Sequence, residues 1–292
     1  MSKIDELFKQ YNFSLSDDAV KLNIQEILSS RYEENSNVAV YKQCLSQIDL
    51  TSLNGTDTHA EIISMVEKVN GFKAEFPHLP NVGAICVYPA LVPVVKAHLT
   101  ENIGIAAVSA GFPASQTFIE VKVAETAMCV MEGATEIDVV ISIGKFLSGD
   151  YLEVYEELSE IKAACREAHL KVILETGALV SASNIKRAAI LAMASGADFI
   201  KTSTGKIPVA ATLEATYVMC QAIKEWHEKT GVKISYKPAG GIVTTEDAVK
   251  HFSLVKAILG DEWLNKTMFR FGASRLANNL LSSIEGKEVK YF

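Results

Sequence analysis

The chain has 292 residues, 49% of them hydrophobic, with a formal net charge of −7 and a pI near 5.5. That is enough apolar material for one large barrel or two small domains, and the acidic balance makes nucleic acid a poor partner. Five scattered cysteines without a CxxC pair, no apolar run of membrane-spanning length and no apolar signal core at the start lead to the expectation of a cytoplasmic protein with no membrane contact. Residues 3–35 carry helical periodicity, with Ser14 or Ser16 placed to cap a run through Val20, Leu22, Ile24, Ile27 and Leu28. Short apolar runs then recur at 43–50, 82–88, 104–110, 136–142, 171–176, 198–204, 233–239 and 268–274. Between them lie segments of helical period such as Ile119-Val123-Ala127-Met131 and Val154-Leu158-Ile161.

Strands alternating with helices imply parallel βαβ units, and eight such units match a (β/α)8 TIM barrel. The expected organisation is an N-terminal helical extension over 1–36, a catalytic barrel over 37–285 and a tail over 286–292. A doubly wound open sheet is the alternative. It usually carries a glycine-rich loop after its first strand, and Asp49-Leu50-Thr51-Ser52-Leu53-Asn54 is not one.

Barrel enzymes place their chemistry at the C-terminal ends of the strands. Two runs there contain lysines, Lys201 in FIKTSTGK and Lys237 in YKPAGG. Lysine is rarely buried without a partner. If both point inward from neighbouring strands with amines about 6 Å apart, their repulsion is about 2.8 kcal/mol at an effective dielectric near 20, or roughly two pKa units. Partial burial acts in the same direction, and an amine lowered in this way can form Schiff bases with carbonyls. The alternative is a pair of strand-end lysines snorkelling to solvent. Asp138, set among apolar neighbours in EIDVV, needs a cationic partner and could shuttle protons, or could simply form a structural ion pair.

Glycines cluster late, at Gly205, Gly240-Gly241 and Gly272, and Lys206 adds a point charge. Loops after the last barrel strands often bind phosphate through backbone N–H groups. Together these features point to a phosphorylated carbonyl substrate. The six histidines are dispersed, with no HxH or HExxH, so no metal is expected. Cys86, within a strand, reads first as a small buried residue.

The segments IDLTSLN (48–54), AICVYP (84–89), EIDVV (136–140), FIKTSTGK (199–206), YKPAGG (236–241) and RFGAS (270–274) resemble the deoxyribose-phosphate aldolase family, in order, over nearly all of the barrel. The GDEWL stretch (260–264) is similar to its longer form. The resemblance implies a class I aldolase of deoxyribonucleoside catabolism, without cofactor or metal. Such an enzyme reversibly cleaves 2-deoxy-D-ribose 5-phosphate to acetaldehyde and D-glyceraldehyde 3-phosphate.

By motif position the resemblance implies that Lys201 is the Schiff-base lysine, Lys237 the lysine that perturbs it and Asp138 the proton relay. It puts Asp49, Leu53 and Cys86 on pocket positions, and Thr204, Lys206, Gly240, Gly241, Gly272 and Ser274 on the phosphate and hydroxyl side. It leaves open a homo-oligomer and a pocket role for Tyr291. Two positions depart from the family pattern: Val243 stands where an arginine is usual, and Arg275 where a small hydroxyl residue is common. Other readings keep the barrel but change the outcome, to a fructose-phosphate or transaldolase-like lyase or to a non-catalytic phosphosugar sensor. A sensor has no need of a tuned amine.

Overall fold

A computed structural model describes residues 3–292. Among them, eight strands run parallel: β1 Ile48–Thr51, β2 Ala84–Val87, β3 Gly104–Ser109, β4 Glu136–Val140, β5 His169–Ile173, β6 Phe199–Lys201, β7 Ser235–Lys237 and β8 Phe271–Ala273. The sheet order is β7-β6-β5-β4-β3-β2-β1-β8, with parallel bridges Tyr236↔Phe269 and Ala239↔Gly272 closing the seam. Amphipathic helices follow the strands, as the alternating pattern requires. Among the described residues no helix is long and apolar enough to cross a membrane.

The first apolar run is only partly a strand. Residues Val38–Ser46 form a helix capped by the Asn37 side chain, and β1 starts at Ile48. Val40 and Cys44, four apart, bury one helical face there, and a short apolar run does not distinguish the two periods. The N-terminal segment is likewise two helices, Lys3–Phe8 and Asp17–Asn35, with Ser16 as the cap of the second. The second helix is tied to the outer layer at both ends. Asp17 accepts from the Ala182 N–H at 3.0 Å, and Asn35 donates to Ser253 Oγ at 3.0 Å. Tyr11 stacks on Trp226, so the extension covers the outer helices rather than the strand ends.

Strand parity divides the barrel into two environments. Ile137, Val139, Val172, Ile200 and Tyr236 face outward into the apolar layer beneath the helices. Their neighbours Asp138, Lys171, Lys201 and Lys237 face inward and are buried. Barrel interiors are usually filled by branched apolar side chains. Here the interior carries charge, and a separate small apolar cluster of Leu53, Cys86, Ala106 and Val108 lies on the side of β2 and β3.

Candidate active site

Lys201 and Lys237 are register partners on β6 and β7, which brings their side chains into the same layer of the barrel. Both amines converge on one oxygen: Asp138 Oδ2 accepts from Lys201 at 2.7 Å and from Lys237 at 2.8 Å. Lys237 also donates to Asp49. One layer deeper, Lys171 of β5 donates to Asp49 at 2.9 Å, stands 3.2 Å from Asp138 Oδ1, and pairs with Glu136. Arg270, just before β8, joins Asp49 to Glu136, reaching the latter at 2.9 Å. The site is therefore a cluster of seven charges stacked along the barrel axis.

The environment separates the amines. Burial, opposed in part by the adjacent Asp138, and the charge of Lys237 lower the Lys201 pKa from its ordinary value. Burial disfavours the cation at Lys237 too, but Asp138 and Asp49 outweigh it and raise its pKa. Lys171 is held well above its usual range: burial acts against the charge, and Asp138, Asp49 and Glu136 overcome it. Burial would raise both aspartates, yet the surrounding cations hold Asp49 and Asp138 well below the carboxylate range. Burial acts on both amines alike; their directions part because Lys237 has Asp49 as well as Asp138 beside it, while at Lys201 the repulsion by Lys237 adds to burial.

Above Lys201 a cleft of about 380 Å³ opens among the loops that follow β1, β6, β7 and β8. Leu53, Thr204, Lys206, Gly240, Gly241, Gly272 and Ser274 line it, as do Val243 and Arg275. Glycine is required at two of these positions. A Cβ on Gly240 (φ +81°) would meet Ala210 Cβ at 2.7 Å, and one on Gly272 would meet Ala239 Cβ at 2.7 Å and Lys237 Cε at 3.1 Å. Ser274 precedes helix Arg275–Glu285, whose first turn has no acidic residue and no side-chain cap. The N-terminal end of this helix and the Arg275 and Lys206 cations give this end of the cleft an anion-binding character.

Three expected site residues are engaged within the protein itself. Asp49 is fully buried, with its oxygens taken by Lys171, Lys237 and Arg270, so it supports the lysines from below. The Thr204 hydroxyl donates to Glu175 at 2.5 Å and accepts from the Lys206 N–H at 3.0 Å, which fixes the β6 loop. Cys86 is buried beside Leu53, Ala106 and Val108, where burial pushes its thiol pKa up. Tyr291 lies outside the cleft, donating to the Lys68 carbonyl at 2.7 Å and packing on Phe72 and Phe76. Lys171, Glu136 and Arg270 complete the cluster without a motif that marks them as site residues in the sequence. The available signal was inventory: three inward carboxylates need more cations than two lysines supply.

A parallel barrel with its cleft at the C-terminal ends of the strands is the architecture of the (β/α)8 enzymes. The chain belongs to the DeoC/LacD family of aldolases, whose family model matches residues 44–273. It is 44% identical over 249 residues to the deoxyribose-phosphate aldolase of Homo sapiens, covering 80% of this chain and 77% of that one. It is 41% identical over 284 residues to the deoxyribose-phosphate aldolase of Mus musculus, covering 91% and 86%. Among solved structures, QR15, an aldolase, superimposes with a TM-score of 0.67 at 28% identity, over 82% of this chain and 96% of that chain.

Proposed function

We propose that this chain reversibly cleaves 2-deoxy-D-ribose 5-phosphate to acetaldehyde and D-glyceraldehyde 3-phosphate, with Lys201 as the Schiff-base nucleophile. The observation that carries this reading is the position of Lys201. It is a buried amine of lowered pKa, held by a carboxylate and lining the floor of a cleft whose far side is cationic.

The Lys201 nitrogen adds to the aldehyde carbon of the open-chain sugar, and loss of water gives the protonated imine. A base removes the proton of the C3 hydroxyl. Its electrons form the new carbonyl, the C2–C3 bond breaks, and that pair passes into the enamine. Protonation at C2 and hydrolysis then release acetaldehyde and the free amine. Asp138 accepts from Lys201 Nζ and so stands where protons leave and return to nitrogen. A carboxylate held so far below its usual range is a weak base by itself, which favours transfer through a bound water. Leu53, which lines the cleft and packs on Cys86, Ala106 and Val108, gives the two-carbon fragment an apolar wall.

Incubation with acetaldehyde and cyanoborohydride should leave an ethyl group on Lys201, located by peptide mass. No adduct, or an adduct elsewhere, refutes the assignment. The phosphate end makes a second prediction. With Val243 where the family pattern has arginine, Arg275 supplies a second cation beside Lys206 at this rim. A charge-assisted contact of about 1.5–3 kcal/mol corresponds to a loss of roughly ten- to a hundredfold in kcat/KM for Arg275→Ala on the phosphorylated sugar. Turnover of unphosphorylated deoxyribose should be nearly unchanged. An equal loss on both substrates, or none on either, would exclude this role.

A further inference from the structure

The buried cluster carries an odd charge. Among the described residues it contains four cations, Lys171, Lys201, Lys237 and Arg270, and three carboxylates, Asp49, Asp138 and Glu136. Within the cluster, Lys171 touches all three carboxylates, and Lys237 and Arg270 touch two each. Lys201 touches one. Uncompensated charge is costly in such a place: release of one proton would bring the cluster to neutrality, and the amine with the fewest anionic contacts is the one that would release it most cheaply.

We propose that this charge count, fixed below the cleft by Lys171, Arg270 and Glu136, decides that Lys201 is the free amine, which makes these three residues positioning residues for the reaction. The idea rests on Lys201 being the nucleophile. It extends the tuning of that amine from one neighbouring lysine to a balance spread over β1, β4, β5, β7 and the approach to β8. The other groups around the amine do not change the count. Cys86 on β2 is kept as a thiol by burial, and β3 presents Ala106 and Val108. Glu175 and Lys206, on the loops after β5 and β6, are of opposite sign and add no net charge, and they are held by Thr204 and by the Leu53 carbonyl rather than by the cluster. The opposite directions of the Lys201 and Lys171 pKa values agree with this distribution.

The count makes signed predictions. Lys171→Met leaves three cations against three carboxylates, so Lys201 should hold its proton to higher pH. Glu136→Gln leaves four against two, so Lys201 should lose it at lower pH. The double variant Lys171→Met/Glu136→Gln has three against two and restores the single excess charge. The test is the rate of acetaldehyde trapping on Lys201 by cyanoborohydride, measured from about pH 5 to about pH 10 for the wild type and the three variants. The expected midpoints move up by about one pH unit or more, down by a similar amount, and back to the wild-type value. The double variant replaces an ion pair by neutral isosteres and so provides a folded comparison if a single variant fails to accumulate.

If the wild type traps on Lys201 but the double variant does not return to its midpoint, or folded single variants move in the same direction, the charge-count idea is wrong and the nucleophile assignment stands. If the wild type gives no Lys201 adduct, both fall.

Discussion

Replacing Lys201 by leucine should abolish turnover and leave the barrel folded. The loss should be about four orders of magnitude or more in kcat, because the covalent route disappears with the amine. The fold should persist because Asp138 keeps Lys237 at 2.8 Å and Lys171 at 3.2 Å. Leucine also removes a cost, since burying an ionisable amine is unfavourable. A coupled assay for the released aldehyde measures the first effect and a urea unfolding midpoint the second. Activity within about tenfold of wild type would remove Lys201 from the mechanism. A collapse of the midpoint would make it a structural residue first.

Lys237→Leu should act differently, through both stability and pH. Two buried carboxylates, Asp49 and Asp138, each lose a donor, and a cost of roughly 2–4 kcal/mol follows. One cation is also lost from the cluster, so Lys201 should retain its proton to higher pH. The raised pKa lowers activity at neutral pH and returns part of it in alkaline buffer. The direction follows from the amine's chemistry: the reactive form is the deprotonated one, so a raised pKa moves the rising limb of the pH profile upward. A loss equal at every pH would mean that Lys237 acts by shape alone.

The sequence carried the barrel and the pair of lysines because both depend on local pattern. Apolar runs of strand length alternate with 3.6-residue periods, and a lysine amid apolar neighbours is conspicuous in any register. The boundary before β1 was not readable, since residues 43–46 satisfy a helical face and a strand run equally well. Lys171 was hidden for another reason. It opens the run 171–176, where a lysine ordinarily reads as a strand end reaching solvent. Only the pairing Asp138↔Lys171 places it in the interior. Arg270 stands just outside β8 and has the same ambiguity. Asp49 was legible as a site residue but not as a support, because a list of motifs does not say which residue lies beneath which.

The layering of the interior has a consequence for how this protein can evolve. The charged groups around the Lys201 amine are strand or near-strand residues locked in mutual ion pairs, and groups that line the cleft, such as Val243 and Arg275, belong to loops and a helix start at the rim. Variation at the rim can redirect the enzyme toward longer, shorter or uncharged aldehyde acceptors at little risk to the donor chemistry. A change of a single charge in the floor alters every partner it touches. Libraries that seek new acceptors therefore belong on the loops, with the floor left alone or altered only in charge-matched pairs.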